Sequence, residues 1–217
     1  MHLSSGRVFL RSVARDFRRT GAIAPSSRSL GYSMTSELAT RPNRPIAVLE
    51  VGGGTGSITE VIARRLRAGD RLDVYEIDGA LAAVIRRRLV DHPRYRRTGL
   101  SIRVFDRPVE SIVAQPSYDY IVSCLPFTNF EPEQVRQILE IYRACLRPGG
   151  VCSFYEYILL RRAAQWVGNR SHERTRLAGV ERVVRHYRDR YCYKSDIVLP
   201  NLPPATVYHL RFDRGEG

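Results

Sequence analysis

From Ile46 onward, short apolar runs alternate with segments whose apolar residues recur at helical spacing. Ile46 to Val51 is a β-rich run, Ile58 to Leu66 has the period of a helix, and Arg71 to Ile77 is a second strand. The pattern repeats with a helix over Leu81 to Val90 and strands over Ser101 to Phe105 and Tyr118 to Cys124. A helix over Glu133 to Leu146 follows, stopped by Pro148-Gly149-Gly150. Val151 to Leu159 is the next strand, then comes an Arg-rich helical stretch to about Arg190. Tyr193 to Leu199 and Ala205 to Phe212 are strands with no helix between them. This order predicts an α/β fold: a doubly wound, seven-stranded, mostly parallel sheet ending in an antiparallel edge hairpin. Residues 1–45 contain two short helical patterns and end in the breaker-rich Thr40-Arg41-Pro42-Asn43-Arg44-Pro45. We read 1–45 as an N-terminal lid or membrane-binding segment and 46–217 as a single domain.

Composition narrows the class. A chain of 217 residues with 43% hydrophobic and 26% charged residues supports one well-buried core and excludes a mostly disordered protein. Lys plus Arg number 35 against 22 Asp plus Glu, a formal net charge of +13, which favours polyanions or an anionic membrane surface. Lys194 is the only lysine, so nearly all of this charge is guanidinium. Cys124, Cys145, Cys152 and Cys192 form no C-x-x-C pair, which suggests reduced thiols with no metal site and no disulfide framework. The early arginines and the absence of a long apolar run predict neither a secretory signal nor a spanning helix.

The chemistry concentrates in Glu50-Val-Gly52-Gly53-Gly54-Thr55-Gly56, placed directly after a strand and directly before a helix. Glycines there allow a sharp turn and a close backbone approach to a ligand, with helix N–H groups aimed at it. A dinucleotide fingerprint would need glycine at Ser57 or Thr59, and a Walker loop would need Gly-Lys-Ser/Thr, so neither nucleotide motif fits.

The E-x-G-x-G-x-G pattern resembles the S-adenosylmethionine (SAM) loop of class I methyltransferases, which have a Rossmann-like fold. That resemblance makes Glu50, Gly52, Gly54 and Gly56 cofactor-binding. Glu76, ending the second strand, is suited to the ribose hydroxyls, and Asp106, ending the third, to the adenine amino group. Ser123 and Leu125, in Ser123-Cys-Leu-Pro-Phe127, would face the methyl group at the end of the fourth strand.

Two further segments narrow the likeness. Phe9-Leu10-Arg11 with Thr20-Gly-Ala-Ile-Ala-Pro-Ser-Ser-Arg28, and Asn201-Leu-Pro-Pro-Ala205, are similar to the opening and closing signatures of bacterial phospholipid N-methyltransferases. The resemblance implies methylation of an aminolipid headgroup, phosphatidylethanolamine first and ornithine lipid as the alternative. It also implies a location on the cytoplasmic face of the cell membrane. Gly53 stands where many relatives carry proline, and Phe154-Tyr-Glu-Tyr157 only loosely follows the aromatic segment after the fifth strand.

Around such a site, Tyr32, Glu156 and Tyr157 are the catalytic candidates, with Phe127 and Phe130 completing an aromatic cage for the amine. Arg161 and Arg162 are candidates for the lipid phosphate, with Arg170, Arg174 and Arg176 beyond them. In a helix, Phe9, Leu10, Val13, Ala14 and Phe17 fall within an arc of about 140°, with Arg7, Arg11, Arg15, Arg18 and Arg19 outside it. Such a basic amphipathic helix suits an anionic bilayer surface. A monomer is expected. The rivals are a nucleic-acid adenine methyltransferase, which the lack of an Asn or Asp in Ser123 to Phe127 disfavours, and a noncatalytic SAM-binding scaffold.

Overall fold

The computed structural model describes residues 28–96, 99–158, 171–201 and 203–212. The expected amphipathic helix with Phe9, Leu10, Arg11, Val13, Arg15 and Phe17, and the arginines Arg161, Arg162 and Arg170, lie outside these residues.

Seven strands form one sheet: β1 (Ala47–Val51), β2 (Arg71–Tyr75), β3 (Ser101–Phe105), β4 (Tyr118–Ser123), β5 (Leu146–Tyr157), β6 (Cys192–Val198) and β7 (Ala205–Leu210). The spatial order is β3-β2-β1-β4-β5-β7-β6. The first five strands pair in parallel, whereas β7 runs antiparallel to both β5 and β6. This is the Rossmann-like architecture expected from the alternation, and the chain reverses its winding between β1 and β4. In open α/β sheets, ligands sit outside the carboxyl ends of the strands at that switch point.

Side-chain parity sorts the core into two layers. Leu49, Ile121 and Phe154 face α4 (Pro132–Cys145) and α5 (Ser171–Tyr191), packing on Ile138, Leu139, Tyr142, Val180 and Val184. Val48, Leu72, Val74 and Val207 face the other way. There they meet α1 (Arg28–Met34), α2 (Ser57–Arg65) and α3 (Gly79–Ile85) through Leu30, Met34, Ile58, Ile62 and Ile85. Leu30 and Met34 are fully buried, so the later part of the N-terminal segment is built into this core. A polar seam fixes the same segment to the sheet: Tyr193 and Lys194 donate to Glu37 at 2.5 and 3.0 Å.

Three of the departures from the sequence reading have a local reason. β5 begins at Leu146, because Leu146 pairs with Tyr118 before a bulge that accommodates Pro148-Gly149-Gly150 and resumes at Val151 opposite Tyr120. α3 begins at Gly79, because the Asp78 carboxylate accepts the N–H groups of Ala80 and Leu81 as an N-cap. After Ile85 this helix widens into a π turn over Arg86–Val90.

Candidate active site

The carboxyl ends of β1, β2 and β4 are joined by backbone hydrogen bonds that shape the glycine loop. The Gly52 N–H donates to the Tyr75 carbonyl and the Cys124 N–H to the Val51 carbonyl, each at 2.8 Å. Gly52, Gly54 and Gly56 all have positive φ, the conformation that a Cβ disfavours. A Cβ built on Gly54 has no neighbour closer than 3.9 Å, so this glycine borders an open crevice. Gly53 is glycine for another reason: a Cβ there would stand 2.7 Å from Val74 and 2.8 Å from Ile85, blocking the close packing of loop on sheet.

Two carboxylates flank the loop. Glu76 is buried and spans two backbone donors, its Oε2 accepting the Gly54 N–H at 2.8 Å and its Oε1 the Asp78 N–H at 2.9 Å. It therefore fixes the loop, and each carboxylate oxygen has lone pairs for more than one donor. Glu50 is fully buried, and neither of its carboxylate oxygens has a hydrogen-bond partner. Burial pushes this carboxyl up to about 8; the nearby Thr59 hydroxyl offsets part of the rise and the Glu76 charge adds to it.

The register decides which residue after β4 joins Glu50. Glu50 pairs with Val122 and Val51 with Ser123, so Cys124 shares the Glu50 face while Ser123 faces the opposite layer. The Cys124 thiol is pushed well above its ordinary value by burial, then by the charges of Glu50 and Glu76. Tyr157, ending β5 on this same face, is buried, and its edge meets the Tyr155 ring at a centroid distance of 5.2 Å. Burial raises its phenol, leaving a neutral hydroxyl at physiological pH. Cys124 and Tyr155 escaped the sequence reading because only strand parity marks them.

Other expected residues fall elsewhere. Ser123 exchanges a 2.9 Å hydrogen bond with the Tyr142 hydroxyl inside the α4 layer, so its side chain does not face the crevice. Leu125 packs against that layer as well and lies 3.0 Å from a Cβ built on Gly52. Phe127 and Phe130 are core residues, not a cage: both are buried in the α4–α5 layer, Phe127 against Phe154 at 5.5 Å. Glu156 points to that layer too and is ion-paired with Arg188 at 3.3 Å, which leaves it unsuited to act as a base. Tyr32 is half exposed under the Arg65 guanidinium, 5.4 Å from its ring. Arg65 stands in the last turn of α2, at the opposite end of that helix from the glycine loop. Asp106 follows β3 with a largely exposed carboxylate, 3.7 Å from Arg86. Arg176 is engaged internally with Glu173 and the Phe130 carbonyl, whereas Arg174 is exposed.

S-adenosylmethionine fits this arrangement. An open glycine loop, the unpartnered buried carboxyl of Glu50 just before it in sequence and the Glu76 carboxylate one strand away suit a ligand bearing an ammonium, a sulfonium and a ribose. Strand order and glycine loop are those of the Rossmann-like methyltransferase fold, and residues 49–152 match the family model described as a methyltransferase domain, which supports a SAM-dependent methyltransferase. Among individual proteins, the chain is similar to the ornithine lipid N-methyltransferase of Singulisphaera acidiphila, with 26% identity over 204 residues and 94% of each chain covered. Among solved structures it superposes on the O-methyltransferase of Bacillus cereus in complex with SAH. That match has a TM-score of 0.61 and 16% identity, covering 94% of this chain and 91% of the other. The O-methyltransferase TomG of Streptomyces achromogenes, in complex with SAM, gives a TM-score of 0.59 and 16% identity, covering 93% and 88%. At such identities the structures speak to the fold alone.

Proposed function

We propose that this protein transfers methyl groups from SAM to the amine of a membrane aminolipid. The observation that carries the reading is the end-to-end similarity to an ornithine lipid N-methyltransferase over 94% of both chains. The signatures around Ser26 and Asn201 support the same substrate class. Ornithine lipid ranks first on that relationship, and phosphatidylethanolamine second on the signatures.

The bound cofactor supplies an electrophilic methyl on a sulfonium. The protein's own task is to hold the cofactor and to receive a deprotonated amine. Gly54 gives the backbone room for the cofactor, Glu76 anchors the loop, and Glu50 offers a buried carboxylate to a cationic group. Tyr157 takes the catalytic position among the candidates, its hydroxyl accepting from the incoming amine and its ring, with that of Tyr155, attracting methylated ammonium. With Glu156 held by Arg188, a buried pocket that disfavours the ammonium form is the means of lowering the amine pKa.

The test is incorporation of label from methyl-labelled SAM into vesicles containing ornithine lipid, phosphatidylethanolamine or neither, beside ribosomal RNA. Label in one lipid fraction supports the class and names the headgroup. Label only in RNA overturns the reading in favour of a nucleic-acid methyltransferase.

A further inference from the structure

The motif Asn201-Leu-Pro-Pro-Ala205 takes no part in the cofactor site, yet the structure builds its surroundings with care. It connects β6 to β7. Asn201 is buried and its Nδ2 donates to the Pro203 carbonyl at 2.7 Å. The Ile158 N–H donates to the Pro204 carbonyl at 2.9 Å, tying this turn to the end of β5. Because β7 is antiparallel to both neighbours, β6 runs in the direction of β5, and the turn emerges at the sheet edge that carries the glycine loop, Leu125 and Tyr157. Register makes the proximity concrete: Tyr157 pairs with Ala205, and Ala205 pairs with Val198.

On this held turn, Ile197 and Leu199 are 67% and 68% exposed, while Val198 between them is buried. The other large hydrophobics exposed among the described residues are Val113 and Tyr32; Val113 lies in the β3–β4 connection and Tyr32 at the far end of α2. In a chain that is 26% charged, no Asp, Glu, Lys or Arg occurs between Asp196 and Arg211. An uncharged turn, tied down at Asn201 and Pro204, that holds two branched apolar side chains side by side at the solvent gains nothing from them in folding and offers them to an apolar partner.

We propose that the β6–β7 turn, through Ile197 and Leu199, is a bilayer contact that seats the open end of the crevice on the membrane. The inference rests on the aminolipid reading above. A headgroup amine can reach the crevice only if the bilayer meets the carboxyl edge of the sheet, and these side chains stand on that edge. The net charge of +13 favours an anionic lipid surface, and the turn contributes no acidic group to oppose it. Two aliphatic side chains reaching the acyl boundary add an apolar component to attachment that persists at high salt.

The experiment compares the full-length protein with the double variant Ile197→Asp, Leu199→Asp. Cosedimentation uses vesicles of phosphatidylethanolamine and phosphatidylglycerol at low and high salt, and calorimetry measures SAM binding. The variant is expected to retain SAM affinity and to lose about tenfold or more in vesicle partitioning, with the larger loss at high salt. Methylation of a water-soluble short-chain aminolipid should be unchanged, while methylation of vesicle lipid falls. Equal partitioning of variant and parent overturns the turn as a bilayer contact and leaves the aminolipid reading standing. A parent protein that neither binds vesicles nor methylates their lipid overturns that reading itself. If the double variant loses SAM binding, Ile197→Ser with Leu199→Ser repeats the comparison without added charge.

Discussion

Arg188 closes on Glu156 at 3.3 Å in the layer beneath α5, on the opposite face of β5 from Tyr157. Adjacent in sequence, the two residues therefore cannot share a task. Glu156→Gln is expected to lower stability by about 1–3 kcal/mol through loss of a hydrogen-bonded charge pair and to leave kcat nearly unchanged. Tyr157→Phe should lower kcat with little effect on the melting temperature. Thermal denaturation beside steady-state kinetics checks both, and a collapse of kcat in Glu156→Gln with stability intact would restore Glu156 as the base.

The open space beside Gly54 predicts that Gly54→Asp abolishes measurable SAM binding. An aspartate at positive φ strains the loop and fills the crevice with a side chain. Isothermal calorimetry on the folded variant is the check, and unchanged affinity would remove the loop from the cofactor site.

Glu50 has a pH signature. Its carboxyl titrates near 8 in the folded protein, against roughly 4.3 in an unfolded chain. Between those values the folded state holds a proton that the unfolded state has released, so this group makes stability fall as pH rises. The slope is up to about 1.4 kcal/mol per pH unit, and the loss is complete above the folded value. Glu50→Gln cannot ionise, so relative to the parent it should gain stability from pH 5 to pH 8. Melting curves at both values test this, and parallel pH profiles for parent and variant would refute it.

Ser123 belongs to the core. Ser123→Ala should cost about 1 kcal/mol from the lost bond to Tyr142 and leave SAM affinity untouched. A weakened affinity in calorimetry with no change in melting would return Ser123 to the crevice.

Much of this molecule is legible without coordinates. The central strands are the most legible, since a parallel strand buried on both faces is mostly apolar, as β1 is from Ala47 to Val51 with Glu50 its one polar residue. Glycine spacing marks the cofactor loop, because few other residues tolerate positive φ. The carboxylates Glu50 and Glu76 follow from their places at strand ends.

What tertiary structure alone decides is the direction of each side chain. Ser123 and Cys124 are neighbours on one strand, as are Glu156 and Tyr157, and the pleat sends the members of each pair to opposite layers. A one-residue shift of register would exchange their roles, so sequence could nominate Ser123 and Glu156 but not orient them. Phe127 and Phe130 read equally as cage or core until α4 and α5 cover them. Tyr32 lies under Arg65 of α2, a contact that only packing assigns. Hydrophobic periodicity and glycine spacing thus made the fold and the glycine loop legible, because these depend on local pattern and backbone sterics, while the cofactor followed from the resemblance of that loop to class I methyltransferases. The lining of the crevice was settled by long-range pairing, which no local pattern encodes.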